Sequence, residues 1–533
     1  MRQIYFNGNI ITMVGKQPEY VEAVFVEKGK IKKIGSKKEL LQELEKEENK
    51  EIEKIDLKGC TMLPAFMDSH SHITALAQTF GVIDLSHCTS FSQIITTLKQ
   101  EMENRKIQKG DWVIGFGYDH NFLEEKRHPD KEVLDQVTNS SPILITHISG
   151  HMGVVNSLGL EKLGMTEKAK RIKVGQDETV EGTNLLNGYL EERLFMEQTR
   201  NVLNTSKERI KEFIIKAQMI YLQNGITTVQ DGLSKKQDFE YLKELANENK
   251  WLVDVVSYLD YFSSKEVIME NLEYKKKYHQ RLKIGGYKMI LDGSPQAKTA
   301  WITKPYEGEY EYLGHPTHTN EEVQKVVADS LQENLQLLTH CNGDAAADQL
   351  LHAFEKEKNT KEARPVMIHA QMVREDQLEQ MKQIGMIPSF FIAHTYYWAE
   401  VHKQNLGKRA YRISPAKTAQ KKGLIFTFHQ DTPVLPPNML ETIWCAVNRK
   451  TKQENELGKE EQIDVYTALK AITIYCAYQY FEEQTKGTIE EGKLADFVIL
   501  DKNPLTIEKE NIKQIQVLQT RKEGKVVYQR EFD

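Results

Sequence analysis

Residues 63–73 read LPAFMDSHSHI, and this short stretch governs the reading of the whole chain. An apolar, strand-like run turns polar at Asp68 and sets His70 and His72 one residue apart. Successive side chains of a strand point to opposite faces, so His70 and His72 share one face and Asp68 joins them. Two imidazoles side by side can hold a metal ion, or they can be ordinary polar residues at the end of a strand. The rest of the chain decides between the two.

Working outward, the same succession recurs. Apolar runs such as GITTVQDG, YKMILDG, LQLLTHCNGD, RPVMIHAQMV, MIPSFFIAH and LIFTFHQDTP alternate with amphipathic stretches such as NEEVQKVVADSLQENL and REDQLEQMKQIG. Repeated β-then-α order predicts a parallel sheet with crossover helices, and this many units predicts a (β/α)8 TIM-type barrel. The two ends differ from this middle. NGNIITM, EAVFVEKGKIKKIG and EIEKIDLKG near the start, and GKLADFVILDKNP and QVLQTRKEGKVVYQ near the finish, alternate apolar and polar residues between turn-like glycines. The expected organisation is α/β: a small β-sandwich domain built from residues 1–62 plus 485–533, and a barrel over 63–484. An insertion within about 80–215 is expected over the barrel mouth.

At 533 residues the chain exceeds the size at which one hydrophobic core stops growing, consistent with more than one unit. A net charge of -6, with acidic and basic residues interleaved, gives no reason to expect nucleic acid or an anionic membrane as partner. The lysine-rich stretch at 274–283 reads as a solvated helix face and its exit. MRQIYFNGNIITM lacks the apolar core and cleavage site of a signal peptide, and no run approaches bilayer-spanning length. The five cysteines are scattered, odd in number and without a CxxC pair, which fits free thiols in a reducing compartment. A cytoplasmic location is expected.

Active-site residues of such a barrel finish the strands. Here GGYKMILDG places Lys288 within an apolar strand, with Asp292 on the same face. LQLLTHCNGD ends in His340, RPVMIHAQMV carries His369, and LIFTFHQDTPV offers His429 and Asp431 on one face. A lysine inside an apolar strand is costly unless paired or chemically altered, the plain alternative being an ammonium that reaches to the rim. Any one histidine could be a satisfied core residue. Their shared position at successive strand ends is much harder to explain as chance.

The order of HSH, the strand lysine, THCNGD, IHAQ and HQDTPV resembles the amidohydrolase superfamily of metal-dependent hydrolases, over nearly the whole chain. LPAFMDSHSH resembles its first-strand motif, and GTIEEGKLADFVILD resembles the signature of the return to the small β-domain. More narrowly, GFGYDHN, SGHMGVVNS, GITTVQDG, LDGSPQAKTAW, THCNGDAAAD, HAQMV, HTYYW and DTPV resemble the amidohydrolase-3 (YtcJ-like) branch, to which N-substituted formamide deformylase belongs. The resemblance implies that His70 and His72 bind the more buried metal, with Asp431 touching it and the attacking water. It implies a carboxylated Lys288 bridging two metals, with His340 and His369 on the second. A divalent metal, zinc by expectation and one or two per chain, is the implied cofactor. Asp431 and Lys288 are the implied catalytic residues.

Around these, His151, His394, Tyr397 and Trp398 are candidate substrate-binding residues, with Asn156 beside His151. Tyr118, Asp119 and His120 are candidate rim residues. Asp344 is expected to fix the helix after His340, and Asp231 and Asp292 to support rather than ligate. The branch often has a glycine-serine step where this chain has His429 and Gln430, and a glutamate where it has Asn187, departures that concern the substrate pocket. The expected function is metal-dependent hydrolysis of a non-peptide C–N bond, in an amide, N-acyl or N-formyl small molecule, by metal-activated water. Same-scaffold alternatives are a deaminase, a cyclic amidase and an esterase. A non-catalytic binding protein would be favoured by missing ligand residues, and every expected ligand is present. A homodimer is common on this scaffold.

Overall fold

The computed structural model describes residues 1–45, 51–148, 152–166, 186–199, 202, 206–358 and 360–531. The chain divides into two compact units, Met1–Ala75 with Ile214–Asp533, and Leu76–Phe213.

The first unit is organised by eight strands in chain order. These are β1 (Phe66–Met67), β2 (Ile226–Ser234), β3 (Asp254–Asp260), β4 (Leu282–Ile290), β5 (Gln336–Cys341), β6 (Val366–His369), β7 (Ile387–Phe390) and β8 (Thr427–Phe428). Each pairs in parallel with the next. Across the seam between last and first strand, Ser69 Oγ donates to Phe428 O at 2.8 Å, and the His72 N–H donates to Thr432 O at 2.8 Å. The sheet thus curls on itself as the TIM-type barrel that the sequence predicts. Strands β6 and β7 are buried at every position, because both faces of a parallel sheet are covered.

The helices between strands form where apolar spacing and caps agree. Asn320–Gln332 buries Val323, Val326, Val327 and Ser330, a stripe at helical spacing. Thr319 opens it with a capping box: its hydroxyl accepts the Glu322 N–H at 3.2 Å while the Glu322 carboxylate accepts the Thr319 N–H at 2.9 Å. Glu375–Ile384 ends at Gly385, whose left-handed backbone (φ 78°) closes the last turn at no steric cost.

Both chain ends meet in one eight-stranded sheet. Its path runs Lys525–Gln529, Val517–Lys522, Phe497–Leu500, Thr61–Pro64, Arg2–Ile11, Tyr20–Glu27 and Lys30–Gly35, with Glu53–Asp56 paired to Arg2–Ile11 off the path. Tyr5, Ile10, Val24, Ile31, Met62 and Phe497 are among its core residues. Thr61–Pro64 leads almost directly into β1, so this sheet is the platform from which the barrel starts.

Platform and barrel are also joined by buried charge. Asp254, the first residue of β3, lies 2.5 Å from Lys522 Nζ, 2.6 Å from Lys486 Nζ and 3.0 Å from Arg281 Nη1. Lys522 also meets Asp496 at 2.6 Å, and Lys486 meets Glu482 at 2.5 Å. Burial alone would raise the Asp254 carboxyl, but Lys486, Lys522 and Arg281 hold it far below the usual carboxylate range.

The Leu76–Phe213 unit has its own five-stranded mixed sheet. Ile83–Asp84, Val113–Tyr118 and Ile143–His147 are parallel neighbours, and Met152–Val155 and Tyr189–Glu191 extend the sheet antiparallel. Its core includes Leu85, Ile94, Leu98, Val113, Leu134 and Ile145.

Replacing Asp254 by alanine leaves the buried Lys486 and Lys522 with one carboxylate each, Glu482 and Asp496, in place of two, and is expected to lower stability by roughly 3 kcal/mol, read as a lower denaturant midpoint. The depressed pKa means that the Asp254 contribution is fully present above about pH 4 and is lost as pH falls through the folded value. The difference between parent and variant therefore shrinks on acidification.

Candidate metal centre

All strands of the barrel run the same way, so their carboxyl ends converge on one mouth. His70 and His72 follow β1, Lys288 lies near the end of β4, and His340 near the end of β5. His369 is the last residue of β6, while His429 and Asp431 follow β8. The structure brings all seven together. His70 Nε2 stands 3.3 Å and His72 Nε2 3.4 Å from Asp431 Oδ1, and Lys288 Nζ is 3.2 Å from His70 Nε2. His369 Nε2 is 3.1 Å from His340 Nδ1 and 3.9 Å from Asp431 Oδ2. Lys288 is only 1% exposed, which excludes an ammonium that snorkels to the rim.

Removal from water sets the charge state. Burial, reinforced by Lys288, holds His70 well below the usual imidazole range and His340 at about 4. Burial also lowers His369 strongly and holds His429 at about 3. The Lys288 amine is brought down to about 7 by burial, against the pull of Asp431. Burial would raise Asp431, but the imidazoles of His72, His369 and His70 draw it well below the usual carboxylate range. His70, His340, His369 and His429 are thereby held as neutral imidazoles near one carboxylate.

That donor set fits a divalent transition ion. His70, His369 and Asp431 each offer a ligand atom within 4.8 Å of the others. Asp431 Oδ1 is buried and, among the described residues, has no hydrogen-bond partner. An oxygen left so is costly unless something else satisfies it. The backbone is committed too: His369 (φ 72°) and Asp431 (φ 53°) both adopt the left-handed conformation that non-glycine residues rarely use.

A surrounding layer aims these side chains. Gln230 on β2 accepts from His70 Nδ1 at 2.6 Å, leaving Nε2 as the lone pair that faces Asp431. The Gln230 amide is itself anchored, donating to Ser69 O at 2.9 Å and to the Tyr480 hydroxyl at 3.0 Å. His429 Nε2 lies 3.2 Å from His369 Nδ1, and its Nδ1 lies 2.9 Å from Ser389 Oγ on β7. Neither role is legible in sequence: Gln230 is marked only as a polar residue within the apolar run GITTVQDG, and His429 reads as a pocket departure.

Other sequence expectations separate. Asp68 turns back on its own chain, its Oδ1 accepting the His70 N–H at 3.2 Å, and burial raises its carboxyl to about 7. Asp231 accepts from the Thr74 hydroxyl at 2.7 Å, and Asp292 accepts the N–H groups of Asn342, Gly343 and Trp301 at 2.7–3.0 Å. Asp344 opens the Asp344–Glu355 helix and binds Thr303 N–H at 2.9 Å and Arg374 at 3.2 Å. Both Phe391 and Trp398 pack on the His394 ring at 4.6 Å, and Phe391 lies 5.3 Å from the ring of His429, so an aromatic wall abuts the centre. His394 Nδ1 is 3.0 Å from His402 Nε2, and the Tyr397 hydroxyl is given to Glu441 at 2.8 Å. Asn156 spends its amide on the backbone around Gly159 and Ser141. His151 lies outside the described residues. Tyr118, Asp119 and His120 belong to the Leu76–Phe213 unit. A cavity of about 750 Å³ opens at the amino end of the barrel strands, where Asp254, Lys283 and Lys486 line it, but these charges are paired with one another or with Glu482.

A parallel barrel whose strand ends gather four or more imidazoles, a lysine and an aspartate is the architecture of a metal-dependent hydrolase. The chain belongs to the amidohydrolase family, whose sequence profile (amidohydrolase 3) matches residues 53–528. It is 26% identical to YtcJ of Bacillus subtilis (strain 168), covering 99% of this chain and 100% of that one. It is 23% identical to the N-substituted formamide deformylase of Arthrobacter pascens, covering 98% of each. Among solved structures, an uncharacterised metal-dependent hydrolase from Pyrococcus horikoshii OT3 superposes with a TM-score of 0.79 at 26% identity, covering 96% of this chain and 99% of that one.

Gln230→Ala removes the acceptor that orients His70. Zinc affinity is expected to fall roughly 10–100-fold, measured by competition with a chelating dye.

Proposed function

We propose that the chain hydrolyses a carbon–nitrogen bond other than a peptide bond, in an amide, N-acyl or N-formyl small molecule. The observation that carries this reading is the convergence of His70, His72 and His369 on Asp431, with Lys288 against His70, and an Asp431 Oδ1 that is buried without a hydrogen-bond partner among the described residues. His70, His72 and Asp431 would hold one divalent ion, for which zinc is the best chemical match, and His340 and His369 a second. When bound, such ions lower the pKa of a water molecule and polarise the scissile carbonyl.

The protein residues supply the rest. Lys288, with an amine brought near neutrality, can add carbon dioxide: an N–C bond forms, one proton leaves, and a buried base becomes a carboxylate able to bridge two cations. Asp431, ionised, accepts the proton of the attacking water and returns it to the leaving nitrogen. Gln230 and His429 keep His70 and His369 in the required orientation. The wall of Phe391, His394 and Trp398 gives an apolar surface against which a substrate body can lie. The amidohydrolase family and the named deformylase relative support amide chemistry over the other reactions of the scaffold.

Elemental analysis before and after chelation, with hydrolysis followed on a panel of N-formyl and N-acyl amines, tests the reading. Two ions at the barrel mouth of each chain, and activity lost on chelation, are expected. His70→Ala should lose metal and lower kcat/KM roughly 10³-fold, the scale of a lost Lewis acid worth several kcal/mol. Lys288→Ala should remove one ion per chain. Full activity in metal-free protein overturns the mechanism, and turnover of esters or cyclic amides in place of the acyclic panel overturns the substrate class.

A further inference from the structure

The Leu76–Phe213 unit carries a second convergence of ligand-type side chains that shares no residue with the barrel mouth. Strands Val113–Tyr118 and Ile143–His147 are parallel neighbours, and Tyr118 stands opposite His147 in their register. Both therefore finish at the same edge, the carboxyl edge at which parallel sheets bind ligands. Asp119 and His120 follow the first strand directly, and His147 ends the second. In sequence ILITH finishes an apolar run with a histidine just as VMIH does at His369.

The three side chains point at a common place. Asp119 Oδ1 is 3.5 Å from His147 Nε2 and 3.9 Å from His120 Nδ1, and the two nitrogens are 3.3 Å apart. An ion bound tetrahedrally at about 2.0–2.1 Å holds its ligands roughly 3.3–3.4 Å from one another. Two of the spacings are of that size, and the third is only about half an ångström wider. The carboxylate is aimed: the Asn121 N–H and side-chain amide donate to Asp119 Oδ1 at 2.9 and 3.0 Å. The imidazoles are walled in. His128 stacks on His120 at 4.1 Å, and its Nδ1 is 2.9 Å from the hydroxyl of Tyr118, which is fully buried.

The charge state suits a ligand set. Burial lowers His147 and, with help from His120 and His147, brings His128 to about 4. Asp119 stays below the usual carboxylate range because hydrogen bonds from Asn121 and His147 outweigh its burial. A hydrogen-bonded trio without an ion is the plain alternative, and it explains the Asp119–His147 contact. It also covers the His120–His147 contact, and what favours an ion is that all three ligand atoms lie within 4.8 Å of one another at spacings close to those of a tetrahedral ion.

We propose that Asp119, His120 and His147 form a second metal site, for a divalent transition ion of the zinc class. Two imidazoles with one carboxylate suit zinc, cobalt or nickel, whereas calcium and magnesium take oxygen ligands. Three protein ligands leave a coordination position for water or a substrate group. Asn121 and His128 are positioning residues, the first acting through Asp119 and the second through the ring of His120.

The test is a titration of zinc, and of cobalt(II) for its visible absorption, into the full chain carrying His70→Ala, His340→Ala, His369→Ala and Asp431→Ala. One ion per chain is expected there, and adding His120→Ala and His147→Ala should weaken binding roughly 100-fold or more. No binding in the first protein, or affinity within about twofold in the second, overturns the proposal. A parallel arm uses the otherwise unaltered chain: His120→Gln, with thermal melting followed by circular dichroism to establish folding, should lose one zinc per chain, and an unchanged zinc content overturns the proposal. Both arms read the Asp119 group whether or not the barrel mouth holds metal, so failure here is distinct from failure of the hydrolase reading.

Discussion

Asp431 is the carboxylate on which the barrel mouth depends. Around it lie a buried lysine and imidazoles that burial keeps unprotonated, so the site gathers lone pairs rather than positive charge. Had these histidines titrated near their ordinary value, protons would compete with a metal for the same electron pairs once the pH fell below about 6.5. The arrangement is held by the closed sheet rather than by local preference. Left-handed backbone at His369 and Asp431 costs on the order of 1–3 kcal/mol each and persists only because the strands on either side fix it.

Two buried lysines of the same barrel illustrate how partners decide charge. Lys288, at the carboxyl end, faces several imidazoles and one carboxylate, and its amine falls to about 7. Lys486, at the amino end, sits against Asp254 and Glu482, and burial is outweighed so that its amine is held above the ordinary value. One end is thus an ion network that fastens barrel to platform, and the other surrounds with imidazoles a carboxylate whose Oδ1 has no hydrogen-bond partner among the described residues. This division follows from the parallel fold, in which all strands begin at one end and finish at the other.

The barrel is legible in sequence because each apolar run ends in a polar residue that the core could not otherwise tolerate. His70, His72, Lys288, His340, His369 and Asp431 stand out for the same reason, and the structure brings them together. What is hidden depends on contacts between distant segments. Gln230 becomes the partner of His70 only because β2 pairs with β1. His429 looks like a change in the pocket until the seam sets it behind His369. Strand alternation puts Asp68 beside the two histidines, yet the first strand stops at Met67 and the carboxylate takes a backbone N–H instead. Tyr397 reads as a pocket aromatic, but its hydroxyl is already engaged by Glu441.

The platform sheet has a consequence for how the chain is made. Thr61–Pro64 is flanked on one side by Arg2–Ile11 and on the other by Phe497–Leu500. A ribosome delivers the first two early and the third only after nearly all of the barrel has emerged. Throughout synthesis, then, an apolar strand that leads straight into β1 has one edge waiting for its neighbour. That sheet therefore cannot be completed until residues 497–500 have emerged, and nascent chains stalled short of that strand present an open edge on which they can pair with one another.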